Sequence, residues 1–422
     1  WRKNTNNTNG CTSFPDYGTD LNRNASFKWG DAGTNPCEET YQGPFANSEP
    51  ETQAIQTYVA GILEDRRGPA DTDATPADYQ GLFITLHSYS GLVLWPWGWT
   101  GTAAPNDTGL QTLGRKLAYF NNYSPQQSVE LYATTGSHDD WAYGILGVPA
   151  YTFEMGNDFF EPCSGYESTI WPDNRDALLW AFKTARRPYM TPAGPDVTAA
   201  AVSPANVLPG AIITLTGSVT DTRYYDDDGT EPTQNIQAAR YSIDTPSWIT
   251  GATTYAMAAA DGSFNAKTEN VTAAVDTTGL TPGRHTLFIE GQDLSGNWGV
   301  PTAVFFNISS PNTGYALLSP AQSEATANPG GTAVHTFTLT NAGLASDTFA
   351  LSVSNTPTWT TTIDPASVIL GAGEEAEITV SVVVPAGAPG GATDTADITA
   401  TPSDPAYAST AQALTFLSQV TM

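Results

Sequence analysis

The hydrophobic pattern of the chain changes once, close to residue 187. Before it, apolar positions recur at helical spacing or as short unbroken runs bounded by turn residues; after it, they alternate with Thr, Ser and Gly. The stretch SEPETQAIQTYVAGILEDRR predicts a helix over Ser48–Asp65. Ser48 stands at the cap, Glu51 follows three residues later, Pro50 suits the first turn, and Ile55, Tyr58, Val59 and Ile62 form one apolar face expected to pack on a sheet. The run Leu82–Leu86, ending on His87 and SYSG, predicts a core strand, and VPAYTFEMG predicts a second buried strand that ends on Glu154. Further helices are predicted around Thr108–Phe120 and over WPDNRDALLWAFKTARR, the latter capped by Asp173 and basic at its C-terminal end, as the helix dipole favours. ELYATTGSHDDWAYG, dense in carboxylates and aromatics, reads as loop.

Beyond Arg187 the segment RPYMTPAGPD breaks the helical pattern. Ile213, Leu215 and Val219 then alternate with polar residues, and turn clusters such as DDDGT and LSGNWG separate the runs. After a second break, SSPNTG, the alternation resumes in Phe349, Leu351 and Val353 and in Ile378, Val380, Val382 and Val384. The expected architecture is multidomain. A mixed α/β sheet domain covers 1–187, a linker 188–196, and two all-β, immunoglobulin-like sandwiches cover 197–310 and 311–422.

Charge narrows the partners. With 43 acidic residues against 16 basic ones the net charge is −27, a surface that repels nucleic-acid backbones and anionic lipid headgroups. No apolar run is long enough to span a membrane. Low Lys content with abundant Thr, Asn, Gly and Pro suits an exported or cell-surface protein, and the sandwiches have the look of spacer modules or modules that bind a surface or polymer. No signal peptide is visible and the chain starts at Trp1, so part of the protein is expected upstream. Cys11 and Cys37 flank one compact segment and Cys163 is left over; no Cys pair has metal-site spacing.

Candidate chemistry gathers in the front region. A histidine at the carboxyl end of a sheet strand, as His87 is, serves as a metal ligand, a general base or a polar strand terminator. Arg23 beside Asn22 suits a carboxylate clamp, or else pairs with Asp20 in the loop. Glu154 at the end of an apolar strand suits a general base, or else is ion-paired there. Tyr132 can donate to a carboxylate; Asp139 and Asp140 can bind a metal or a cationic side chain, or cap turns. The acidic run at 226–231 suits calcium or a solvated turn.

In order, WRK, DLNRN, NPCEETYQGPFANSEPET, LHSYSGLVLWPWG, Tyr132 with GSHDDWAYG, and YTFEMG resemble the zinc carboxypeptidases of the pancreatic type, from Trp1 to about Arg187. The resemblance implies zinc as cofactor and peptide or protein C-termini as substrates. His87 corresponds to the third zinc ligand and Glu154 to the proton carrier. Arg2 corresponds to the arginine facing the oxyanion, and Asn22, Arg23 and Tyr132 to the clamp on the terminal carboxylate. Asp139 falls at the base of the side-chain pocket and implies a preference for C-terminal Lys or Arg, unless it turns away to pair with His138. The resemblance also implies a Cys11–Cys37 disulfide and cis peptides at Ser88–Tyr89 and Pro96–Trp97. One departure stands out: no His-x-x-Glu pair occurs, the four histidines being His87, His138, His285 and His335. The expectation is therefore the back part of a metallocarboxypeptidase, inactive as residues 1–422. The alternative is a non-catalytic extracellular binding or adhesion protein.

Overall fold

The computed structural model describes residues 2–208, 210–227, 229–278, 280, 282–309, 313–356 and 359–418. Trp1 of the WRK motif, Asp228 of the acidic run and part of the 309–314 break lie outside them. The front region holds a four-stranded mixed sheet. Its strands are β1 (Phe83–His87), β2 (Leu92–Trp95), β3 (Ser124–Gln127) and β4 (Ala150–Glu154), in the order β1-β4-β2-β3. β1 runs parallel to β4, β4 antiparallel to β2, and β2 parallel to β3.

β4 is the centre of this sheet. All five of its residues are buried, as a strand with neighbours on both sides should be. β1, expected as a core strand, is instead an edge: its residues are half-buried and Leu86 is 48 % exposed. An apolar run reports a wish for burial without saying on how many sides it is met. Two long helices cover the other part of the sheet, α2 (Asp107–Asn121) and α4 (Trp171–Thr184). Leu110, Leu113 and Leu117 of α2 sink completely among Trp95, Tyr151 and Phe153. Gly114 is required there, because a Cβ would sit 2.7 Å from the Trp95 ring.

The first helix departs from its expected packing. α1 spans Pro50–Ile62 and its cap position is Glu49, not Ser48, whose hydroxyl binds Asn24 and Glu49 instead. Its buried face is Thr52, Gln56 and Val59, whereas Ile55, Tyr58 and Ile62 are 39 %, 69 % and 62 % exposed. The apolar stripe is real but nothing among the described residues covers it. Asp173 likewise lies in the first turn of α4 rather than at its cap, since a π-turn over Tyr166–Ile170 leads directly into the helix.

From Asp196 onward the chain is β. Eight strands, β5 (Asp196–Ser203), β6 (Asn206–Val207), β7 (Ile212–Thr220), β8 (Ile236–Ile243), β9 (Thr254–Ala259), β10 (Thr268–Asp276), β11 (Gly283–Asp293) and β12 (Thr302–Ile308), pair in the order β5-β7-β10-β9-β8-β11-β12-β6. This sheet folds over so that β5 packs against β11 and β12, enclosing Ile213, Leu215, Leu287, Ile289 and Phe306. A second β unit between Ala316 and Leu417 packs a four-stranded against a five-stranded sheet around Phe337, Phe349, Ile378 and Ile398. The mixed α/β region followed by immunoglobulin-like sandwiches is the architecture the hydrophobic pattern predicts.

The first β unit is docked on the front region. Tyr225 and Val300 join the front core. The acidic run forms the joint: Glu231 accepts hydrogen bonds from Thr112 and Arg115 of α2, and Asp227 from Ser124 of β3. Glu231 and Asp227 are thus used between elements, while Asp226 accepts the Glu231 N–H within the run.

Candidate active site

β1 and β4 end side by side. His87 and Glu154 are register partners on these parallel strands, and the Met155 N–H donates to the His87 carbonyl at 2.8 Å. The Ser88–Tyr89 and Pro96–Trp97 peptides just beyond β1 and β2 are both cis. Burial lowers the His87 pKa below the usual imidazole value, partly offset by Asp139. Burial raises the Glu154 carboxyl to about 7, with Arg2 pulling in the other direction. Glu154 accepts no side-chain hydrogen bond from a described residue, so the ion-paired alternative is not what holds it.

The polar loop before α1 supplies the second part. A disulfide joins Cys11 to Cys37, and Cys163 is free and exposed. Asp20 caps a single helical turn, Leu21–Arg23, by accepting the Asn22 N–H at 3.1 Å, and pairs with Arg2 at 2.7 Å. Asp20 therefore holds Arg2, not Arg23. The Arg23 guanidinium, on a residue only 4 % exposed, donates to the Tyr132 hydroxyl at 3.2 Å and to the Asn22 carbonyl at 2.6 Å. Asn24 secures the loop through the Gln42 and Phe45 carbonyls and the Glu49 N–H. Gly136, in the loop just before His138, closes it from the other side: its φ is +68° and a Cβ would lie 2.3 Å from the Arg23 carbonyl oxygen.

The segment read as loop contains a short helix, α3 (His138–Trp141), that fills the floor. Asp139 and Asp140 point inward from it. Asp140 is fully buried and accepts the Gly98 N–H; burial and the neighbouring Asp139 raise its pKa well above the ordinary value. Asp139 accepts from the Ser128 and Thr152 hydroxyls and from the Asp140 N–H. It does not pair with His138. The His138 N–H donates instead to the Asn22 side-chain oxygen at 3.1 Å. A cleft of about 760 Å³ opens between these elements, lined by Arg2, Asp20, Asn22, His87 and His138 and by Phe159 and Phe160. The sequence therefore brings Arg2, Asn22, Arg23, Tyr132, His87 and Glu154 into one neighbourhood. Asp20 and His138, expected only as alternative partners of Arg23 and Asp139, join it through Arg2 and Asn22 instead.

Residues 1–177 match the family model described as zinc carboxypeptidase. The front domain belongs to the zinc carboxypeptidase family. Residues 316–420 match a VWA7 Ig-like domain. Zinc carboxypeptidase A 1 of Anopheles gambiae is 36 % identical over 157 residues, 34 % of this chain and 32 % of that protein. Carboxypeptidase O of Bos taurus is 36 % identical over 165 residues, 37 % of this chain and 39 % of its own length. Carboxypeptidase B of Bos taurus is 33 % identical over 193 residues, covering 42 % and 41 %. The chain thus spans about two-fifths or less of the length of these relatives.

Zinc at a catalytic centre takes three protein ligands and keeps one position open. His87 offers one nitrogen. Among the described residues no group of three His, Cys, Asp or Glu side chains could hold a metal. The described residues do not by themselves supply the ligands of a complete catalytic zinc centre.

Proposed function

We propose that the front domain is the carboxylate-binding and proton-carrying part of a secreted zinc carboxypeptidase that releases C-terminal residues, with Lys and Arg favoured. The observation that carries this is the placement of His87 beside Glu154, in register at two strand ends, with Arg2 and Asn22 lining the same cleft as His87 and Arg23, next in sequence to Asn22, donating to the Tyr132 hydroxyl. The guanidinium of Arg23, the amide of Asn22 and the phenol of Tyr132 suit a free C-terminal carboxylate, because charge-assisted donors in a partly dry site bind an anion more strongly than water does, and Arg2 is left to face the oxyanion. Glu154, with a carboxyl near 7, can accept a proton and return it at neutral pH. When zinc is bound in this family it supplies the activated water; no group among the described residues completes its ligand set, and we propose that the remaining ligands lie in a further segment of the same protein.

Several features support export: the Cys11–Cys37 disulfide, the low Lys content and the sandwich modules. No helix among the described residues is long and apolar enough to cross a bilayer. The sandwiches are proposed as spacers or as modules that bind a surface or polymer. The experiment is metal analysis and a C-terminal peptide assay on residues 1–422, beside the gene product extended upstream of Trp1. Zinc binding and turnover only in the extended protein is the expected result. A metal-free, inactive extended protein that still binds peptide C-termini would replace this reading by the non-catalytic binding one.

A further inference from the structure

Asp139 is poorly placed to serve alone as the partner of a basic substrate side chain. Both hydroxyl bonds, from Ser128 and Thr152, fall on its Oδ2 at 3.2 Å, which uses both lone pairs of that oxygen, and Oδ1 already accepts the Asp140 N–H at 3.0 Å. A bidentate guanidinium fork needs a free lone pair on each oxygen. Asp139 is also absent from the lining of the cleft, whereas the preceding residue, His138, is part of it. His138 is only 7 % exposed, and neither of its ring nitrogens has a hydrogen-bond partner among the described residues. A buried imidazole left in that state loses the hydrogen bonds it would make in water, so a ligand that supplies one recovers part of that loss. Its backbone N–H is meanwhile fixed on Asn22, so the ring is held at a set distance from the carboxylate clamp.

We propose that His138 is the specificity-determining residue of the side-chain pocket: a ring nitrogen accepts a hydrogen bond from the terminal basic side chain, and Asp139 contributes only as a nearby negative charge. This rests on the reading of the site as one that takes peptide C-termini. A guanidinium is flat, weakly hydrated and rich in N–H groups, so it can meet an imidazole nitrogen at lower desolvation cost than a compact, strongly hydrated ammonium. The pocket accordingly favours Arg over Lys, and Lys over Leu.

The test is calorimetric binding of hippuryl-arginine, hippuryl-lysine and hippuryl-leucine to the 422-residue chain, which requires neither zinc nor turnover. His138→Ala is expected to weaken hippuryl-arginine roughly tenfold while leaving hippuryl-leucine within about twofold. His138→Gln, which keeps an acceptor, should recover most of the loss, and Asp139→Asn should weaken the arginine and lysine ligands alike. Thermal melts of each variant separate pocket effects from unfolding. Loss of all three ligands equally in both His138 variants, no loss at all, or no preference for arginine over lysine in the parent chain would overturn the proposal. If no ligand binds, or if Arg23→Met leaves hippuryl-leucine binding intact, the carboxylate-clamp reading fails as well.

Discussion

His87 and Glu154 occupy the same register position on adjacent parallel strands, β1 and β4, so two side chains 67 residues apart in sequence are brought together by backbone pairing alone. The pairing is what turns two strand-end polar residues into a site. β4 is buried on both sides and sets the position of Glu154; β1 is held from one side only.

The first prediction concerns the Glu154 carboxyl. Its pKa rises on folding from 4.5 to about 7, chiefly because burial disfavours the charged form. Between those values the folded protein binds the proton more tightly than the unfolded chain. This contribution to stability is fully present below the unfolded pKa and is lost as pH rises through about 7. Urea unfolding of the full chain at about pH 5 and about pH 8 should show lower stability at the higher pH, and Glu154→Gln should flatten the difference. An unchanged slope in the Gln variant would show that Glu154 titrates normally.

Much of this was legible in the chain. The change of periodicity near Arg187 gave the order of α/β and β regions, and the ordered motifs gave the neighbourhood of Arg2, Asn22, Arg23, Tyr132, His87 and Glu154. The errors share a cause. Hydrophobic spacing reads the wish of a face to be buried, and the exposed Ile55, Tyr58 and Ile62 of α1 and the edge position of β1 depend on what stands opposite. The sequence offered Asp20 as a loop partner for Arg23, and the loop geometry gives it to Arg2 instead. The acidic run looked like a solvent feature because its partners, Thr112, Arg115 and Ser124, are more than a hundred residues away.

The second prediction uses that uncovered face. In residues 1–422, Ile55→Lys, Tyr58→Lys and Ile62→Lys should change unfolding free energy by no more than about 0.5 kcal/mol each, as expected of exposed positions, and should raise solubility by breaking an apolar patch. In the protein extended upstream of Trp1 the same substitutions should destabilise, if the added segment covers α1. Equal and small effects in both proteins would show that the face is a true surface.

The third prediction concerns metal. Residues 1–422 dialysed against zinc should retain less than one equivalent after passage over a chelating resin, because one imidazole cannot supply the binding free energy that several deprotonated ligands give together. His87→Ala should abolish stoichiometric zinc in the extended protein without changing its melting behaviour in the presence of chelator. Stoichiometric zinc on 1–422 would mean that other residues in the chain act as ligands.

The last prediction tests the joint between the front domain and the first β unit. Lys116 of α2 is completely buried, and its ammonium lies 3.3 Å from the Asp196 carboxylate at the start of β5 and 3.9 Å from the centre of the Tyr224 ring. Asp196 also receives the Trp180 indole N–H at 3.1 Å and faces Arg223 at 3.6 Å, so one carboxylate is shared by α2, α4 and the β unit. Burial lowers the Lys116 pKa and Asp196 opposes that fall. A charge taken this far out of water is tolerable only while its counter-charge is present. Asp196→Ala should therefore destabilise the full chain by about 3–5 kcal/mol, whereas Lys116→Met, which removes the charge and keeps most of the volume, should cost much less. The double variant should lie closer to Lys116→Met than to the sum of the two, since residues in contact do not add. Urea unfolding followed by tryptophan fluorescence reads both, because Trp180 sits at the joint. If Asp196→Ala costs no more than Lys116→Met, the ion pair does not hold the two units together, and the burial of Tyr225 and Val300 in the front core carries the docking instead.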